Sequence, residues 1–425
     1  MTGKFLKWGI YAIIFSAPLY LIRFKVFGIP TTVLEIMIYV LFMVWLVKGL
    51  NLLELKKIIK ENRLLFVAIF LILLGASLAT IRSWDLRLSA GILKAWFFDP
   101  ILFFIVFIST IKSLKEVRGV FYSFISSGFI VSVISLVYLF LGKFNLDGRL
   151  QGFYDSPNYL AMYLAPVFIA VFCFLAQIIY TKTRVGVPAS RRAPSRPRLD
   201  RALGLRMVFL INNLRPVCLI FSFSFLILVL FFTKSFGAWM GVVGAIGFGL
   251  VVWFLRAKKK KIAVILAILL IILCVGIYFI KFSSVQGRLS INSRLEIWQR
   301  AIDAVIMYPV IGIGPGTFKD FFPAYPSWGV PQPHNLYLAF LLQAGVIGLI
   351  GFISLLIWFF NTGLKLLKIQ SSPLPVTSYL LLAVMTYVLI HGLVDTTYWK
   401  NDFSVVFWVI IGMMATIKQS LISKL

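Results

Sequence analysis

The stretch LYLAFLLQAGVIGLIGFISLLIWFF, residues 336–360, carries no charged side chain. Its length and character decide the fold class. A helix needs about 20 apolar residues to cross roughly 30 Å of hydrocarbon. Lipid offers a backbone no hydrogen-bond partner, so only helices and closed barrels can span it. The apolar residues here run on without the period-two alternation of a barrel strand, which selects a helix. Working outward, similar runs lie near residues 8–22, 31–47, 64–80, 91–110, 120–141, 158–180, 217–233, 237–255, 262–280, 376–394 and 403–417. The chain therefore reads as an all-α polytopic membrane protein of about 12 transmembrane helices. Residues 1–141 form an N-terminal set of spans, and 142–425 form a second transmembrane region.

Composition agrees. Of 425 residues, 61% are hydrophobic and 13% charged, against roughly a quarter charged in a soluble domain. The net charge of +28, from 42 Lys and Arg against 14 Asp and Glu, would suggest nucleic acid if it sat on a polar fold. Little polar fold is present, and membrane topology accounts for the charge instead. With the N-terminus cytoplasmic, the inner connections hold 28 of the 42 basic residues, as the positive-inside rule requires. Both termini of this multi-pass chain are then expected in the cytoplasm. Within 181–216, the stretch TKTRVGVPASRRAPSRPRLDRALGLR is rich in Arg and Pro. It reads as a disordered, basic cytoplasmic linker able to lie on anionic lipid. Cys173, Cys218 and Cys274 lack the CxxC spacing of a zinc site or a disulfide framework.

The longest outer connection spans 281–335. In it, Asn292 or Ser293 can cap an amphipathic helix carrying Ile297, Trp298, Ala301, Ile302 and Val305, with Pro309 just past its end. GIGPG at 312–316 gives a turn, and Phe318, Phe321, Phe322, Tyr325 and Trp328 suit an interfacial aromatic belt. Pro331 and Pro333 stiffen the chain before His334.

In so apolar a chain, polar residues at the outer face are the functional candidates. His334 is the strongest. It precedes Asn335, which can cap the helix entering the membrane, and the positive end of that helix favours an uncharged ring able to accept a proton. That is what a general base for a sugar hydroxyl requires; the plainer reading is a histidine bonded to a loop carbonyl. Arg149, Arg288 and Arg294 lie on the same side. Guanidinium groups grip phosphate oxygens bidentately, which suits a diphosphate donor, although each arginine alone can equally snorkel to lipid phosphates. Lys234, at an outer hairpin, can serve the same anion or mark the interface. The outer acids Asp147, Asp155, Asp320, Asp395 and Asp402 lack the spacing of a metal cage, so neither a metal nor a cofactor is expected. Glu35 reads as a lone intramembrane carboxylate, a proton site or a helix-packing hydrogen bond.

Four pieces in order, GRLQGFYDSPNYLAMYLAP at 148–166, TKSFGAWMG at 233–241, SRLEIWQRAIDAVIMYPVIGIGPGTF at 293–318 and PHNLYLAFLLQAGVIGLIGF at 333–352, resemble the O-antigen ligase and polymerase superfamily of bacterial envelope enzymes. HGLVDTTYWKNDFSVVFWVIIGM at 391–413 resembles the family's closing helices less distinctively. The resemblance covers roughly 145–415. It implies a fold related to the C-type glycosyltransferases and a large outer catalytic loop, in the bacterial plasma (inner) membrane. The implied activity is an inverting, metal-independent transfer of a glycan from an undecaprenyl diphosphate carrier. The acceptor is a hydroxyl on lipid A core, a growing polysaccharide or another envelope molecule, as in lipopolysaccharide biosynthesis. On that pattern His334 matches the essential histidine and Arg294 the diphosphate-binding arginine of the amphipathic helix, with Trp298 and Asn335 in support. Two departures stand out. Many members read SRGAW where this chain has Phe236 after Ser235, so Lys234 or Arg149 would supply the missing charge. A glutamate often found after the HN pair is Gln343 here. The competing class is a transporter or flippase for an anionic lipid-linked glycan or solute, which charges facing both sides and repeat-related broken helices would favour.

Overall fold

The computed structural model of the chain describes residues 2–185, 199–321, 332–368 and 374–422. Sixteen α-helices follow in order: α1 (Thr2–Phe15), α2 (Val33–Lys48), α3 (Leu52–Glu61), α4 (Arg63–Ile81), α5 (Leu86–Leu93), α6 (Asp99–Thr110), α7 (Leu114–Phe140), α8 (Pro157–Val185), α9 (Leu199–Thr233), α10 (Phe236–Arg256), α11 (Lys260–Ser283), α12 (Val285–Met307), α13 (Phe318–Phe321), α14 (Leu336–Leu367), α15 (Leu374–His391) and α16 (Asn401–Ile422). Among the described residues eight helical segments are long and apolar enough to span, or nine if the pair α2 and α3, bent by 113°, counts as one. The protein is thus a multi-pass, nearly all-helical membrane protein. Of the remaining expected spans, 8–22 is divided between the 14-residue α1 and a 3₁₀ turn, Ala17–Leu21, 262–280 falls on α11, and 376–394 overlaps α15 up to His391.

Three local features differ from the sequence expectations. A small antiparallel hairpin, β1 (Arg23–Val26) and β2 (Ile29–Thr32), closes on Phe27 and Gly28. Both of those residues take positive φ, as a primed two-residue turn demands. Helix continues through 181–185 and 199–216 where a disordered linker was expected; residues 186–198 lie outside the described residues. The amphipathic helix α12 starts at Val285, because Ser284 accepts the Gly287 N–H and caps it there. Ser293 instead bonds back to the Leu289 carbonyl, a mid-helix habit of serine.

Contacts divide the chain into two units, one of residues 1–127 and 236–425, the other of residues 128–235. In the first, α4 and α14 approach so closely that their backbones nearly touch. A Cβ on Gly75 would collide with the Ala344 carbonyl and the Gly348 amide, and one on Gly351 would meet the Ile72 nitrogen at 2.7 Å and the Ala68 oxygen at 2.9 Å. Helices in lipid gain little by burying apolar surface, so small residues that let backbones meet carry the association. Gly345 breaks the helical φ/ψ of α14. The turn at 310–313 docks at this break, with Val346 N–H bonded to the Val310 oxygen and Ile313 N–H to the Leu342 oxygen. Below it Ile297, Ala301, Ala304, Ile313, Phe318 and Leu342 form one buried cluster. Phe318 is therefore a core residue, not part of an interfacial belt. The side chains of Phe321, Phe322, Tyr325 and Trp328 lie outside the described residues.

Glu35 has partners after all. Lys94 bridges it to Asp99 and to the Tyr39 hydroxyl, and Asn401 at the start of α16 donates to it at 2.7 Å. Trp96 in turn donates to Asn401 at 3.0 Å. A cation between two buried carboxylates is what makes both tolerable in a bilayer.

Two predictions follow from this packing. Gly75→Leu must part α4 from α14 and is expected to lower stability by about 1–3 kcal/mol, read as a fall in the thermal midpoint of the purified protein in detergent; an unchanged midpoint contradicts the contact. Lys94→Met strands Glu35 and Asp99 and should cost about 3 kcal/mol. The triple variant K94M/E35Q/D99N should recover most of that loss, and equal midpoints for the single variant and the wild type would refute the pairing.

Candidate functional site

The site in the first unit is built on the junction between α15 and α16. Residues 392–395 point a run of acceptors at the segment that opens α14. Leu336 N–H donates to the Gly392 oxygen at 2.7 Å, Asn335 Nδ2 to the Leu393 oxygen at 3.0 Å, and Arg294 Nε to the Val394 oxygen at 3.0 Å. His334 Nδ1 then meets Asp395 Oδ1 at 3.1 Å. The junction thus gathers Arg294 from α12, and His334 and Asn335 from the segment just before α14, onto four consecutive residues.

Each side chain is fixed by its own surroundings. Asn335 caps α14, its Oδ1 accepting from the Tyr337 and Leu338 amides at 3.0 Å each. His334, just before the cap, has φ of +46°, an uncommon left-handed conformation for a residue with a side chain. Trp298 Nε1 points at the His334 carbonyl at 3.4 Å, a weak contact longer than an ordinary N–H···O bond. Asp395 is fully buried and also accepts from the Thr396 amide at 2.9 Å. Burial alone would raise its carboxyl, but the charge and hydrogen bond of His334, then His391 and Arg294, outweigh burial and hold it well below the usual carboxylate range. An ionised Asp395 has only acceptors to offer, so His334 must present N–H at Nδ1, which turns Nε2 outward as the reactive nitrogen.

Arg294 spends part of its fork locally. Besides Val394 it donates from Nη1 to the oxygen and hydroxyl of Ser290. Its Nη2 has no hydrogen-bond partner among the described residues. That leaves a half-buried guanidinium with donors to spare near the outward Nε2 of His334.

Not all the expected residues converge. Arg288 lies in the first turn of α12 and donates to the Phe282 and Ser283 carbonyls at 3.2 and 2.9 Å. There it caps the carboxyl end of α11, where a cation is favoured. Arg149 and Lys234 belong to the second unit. Arg149 Nε reaches the Thr233 carbonyl at 2.8 Å and Nη2 the Asn158 side chain at 2.6 Å, so this guanidinium ties its loop to the end of α9 and the start of α8. Lys234, exposed and with φ of +48°, forms the turn between α9 and α10. Gln343, in the place of the glutamate, is buried. It accepts the Gly316 amide at 2.9 Å and donates to Gln332 at 2.7 Å, clamping the GIGPG turn and the approach to His334 onto α14.

Asp395 was grouped in the sequence with acids of no common purpose. The usable signal was its place just after an apolar run, on the side assigned to His334. Of the other acids, Asp320 accepts from the Trp84 indole and Asp402 from the Phe403 amide. Among the described residues no three His, Cys, Asp or Glu gather as a metal site would require.

No curated protein matches this chain. A family model does match part of it, about a third of the length, running from α9 into α14 and including Arg294, Trp298, His334 and Asn335. Residues 221–353 match the family described as O-Antigen ligase, and this bears out the resemblance to the O-antigen ligase and polymerase superfamily.

Proposed function

We propose that the protein is a membrane glycosyltransferase that moves a glycan from an undecaprenyl diphosphate carrier to a hydroxyl acceptor at the outer face of the plasma membrane. The observation that carries this reading is the His334–Asp395 contact at 3.1 Å with Arg294 bonded to the adjoining carbonyl. A carboxylate–imidazole pair is a general base, and a guanidinium beside it is an anion clamp. The chemistry follows from these roles. His334 Nε2 takes the proton of the acceptor hydroxyl, while Asp395 orients the ring and stabilises the imidazolium that forms. The acceptor oxygen attacks the anomeric carbon from the face opposite the diphosphate, so the configuration inverts. Negative charge grows on the leaving diphosphate, where Arg294 Nη2 can meet it. No step calls for a metal. Trp298 and Asn335 act by holding the His334 backbone. Arg149, Lys234 and Arg288 are further contacts proposed for the anionic donor, secondary to Arg294 because Arg149 and Arg288 already bond to the protein. Arg294 comes first because of its place beside His334.

His334→Ala is expected to abolish transfer while leaving the protein folded in membranes; normal activity would remove the base assignment. Asp395→Asn keeps the shape but loses the ionised acceptor at Nδ1, and the rate should fall by about 10²–10⁴. Arg294→Lys should be damaging too, since an ammonium cannot reproduce the fork; full activity would reduce Arg294 to a structural tie. Reconstitution with a diphosphate-linked glycan and a panel of acceptors tests the class. A ladder of repeats means polymerase and a single capped acceptor means ligase, whereas binding with no transfer to any acceptor would favour a transporter.

A further inference from the structure

At the end of α14 remote from His334, the ends of three helices enclose a cavity of about 250 Å³ lined by Leu64, Trp358, Asn361, Thr362, Lys365 and Lys418. Lys365 sits in the last turn of α14, Lys418 near the end of α16, and Leu64 in the first turn of α4. The polar part of this lining is two ammonium groups, an amide, a hydroxyl and an indole N–H. No carboxylate is in it.

The positive charge there is only partly answered by the protein. Lys418 Nζ donates to two uncharged acceptors, the Glu61 carbonyl at 2.7 Å and the Asn62 side-chain oxygen at 3.0 Å. The Glu61 carboxylate pairs with Lys57 at 4.0 Å, and its charge also acts on Lys418, against that of Lys365. Lys365 makes no side-chain hydrogen bond or ion pair among the described residues. Trp358, only 5% exposed, has an indole N–H with no partner among them. Basic residues at helix ends are what topology alone asks for. Topology does not ask for a cavity between them that two lysines line together.

We propose that this cavity binds the phosphate group of an anionic membrane lipid, with Lys365 and Lys418 as its counter-charges and Asn361 and Thr362 as hydrogen-bonding groups. A lipid fits better than free phosphate because one wall is apolar and opens outward. Leu64 is 45% exposed and Val67, one turn along α4, is 44% exposed, giving an acyl chain a surface to follow from the cavity. Basic pockets between transmembrane helices hold acidic head groups by this combination. The proposal is independent of the glycosyltransferase reading, since none of these residues belongs to the His334 site.

The test uses the full-length protein purified in a neutral detergent. Phosphatidylglycerol, phosphatidylcholine and inorganic phosphate are added separately, with retention read by native mass spectrometry and stability by the thermal midpoint. Phosphatidylglycerol alone should be retained and raise the midpoint, as a ligand of the folded state does. K365Q and the double variant K365Q/K418Q should weaken that binding by about fivefold per lysine. K365Q keeps the test open if the double variant fails to fold, because Lys365 bonds nothing the fold depends on. Equal effects of phosphatidylcholine, an equal effect of inorganic phosphate alone, or unchanged phosphatidylglycerol binding by K365Q would each overturn the proposal.

Discussion

Between α15 and α16 the chain turns in a few residues, and the acceptors of that turn hold everything that converges on His334. The Gly392, Leu393 and Val394 carbonyls and the Asp395 carboxylate bond in succession to Leu336, Asn335, Arg294 and His334. Backbone carbonyls at such a turn need donors, and here they come from α12 and from the segment that opens α14. Satisfying the turn and assembling the site are therefore one act. This also explains how His334 keeps a left-handed backbone. Such a conformation costs of order 1–3 kcal/mol, which the cap by Asn335 on one side and the Asp395 contact on the other offset.

The same economy governs the rest of the first unit. Lipid makes an unpaired charge expensive, so Lys94 lies between Glu35 and Asp99. Asn401 links that cluster to the first turn of α16, a few residues beyond Asp395. On the other side of the site, Gln343 joins the GIGPG turn to α14 just before the break at Gly345. That break lets the 310–313 turn bond into α14, and the close passage of Gly75 and Gly351 locks α4 against the same helix. The base thus stands at the start of a helix braced by α4, by the 310–313 turn and by Gln343.

Much of this was legible in the sequence. Apolar runs announced the helices because lipid allows a spanning chain few alternatives, and the Asn335 cap could be read from its position before a span. His334, Trp298 and Arg294 were found because order and spacing along α12 and α14 carry the family pattern. Asp395 was missed as a partner because its contact with His334 joins residues 61 apart in the chain, and no local periodicity encodes such a pairing. Glu35 seemed alone for the same reason, its cation lying on another helix. The sequence offered Asn292 and Ser293 as caps, whereas α12 starts eight residues earlier at Ser284, where the end of the preceding helix places it. Arg149 and Arg288 illustrate the converse limit. A guanidinium that ties loops and one that grips a ligand look identical in sequence, and here both close on backbone carbonyls.

A structure determined with a non-transferable undecaprenyl diphosphate sugar would test the central claim most directly. The account predicts the diphosphate against Arg294 Nη2 and the anomeric carbon on the Nε2 side of His334, with the Asp395 contact retained. A diphosphate bound away from Arg294, or a His334 ring turned so that Nε2 faces Asp395, would contradict it.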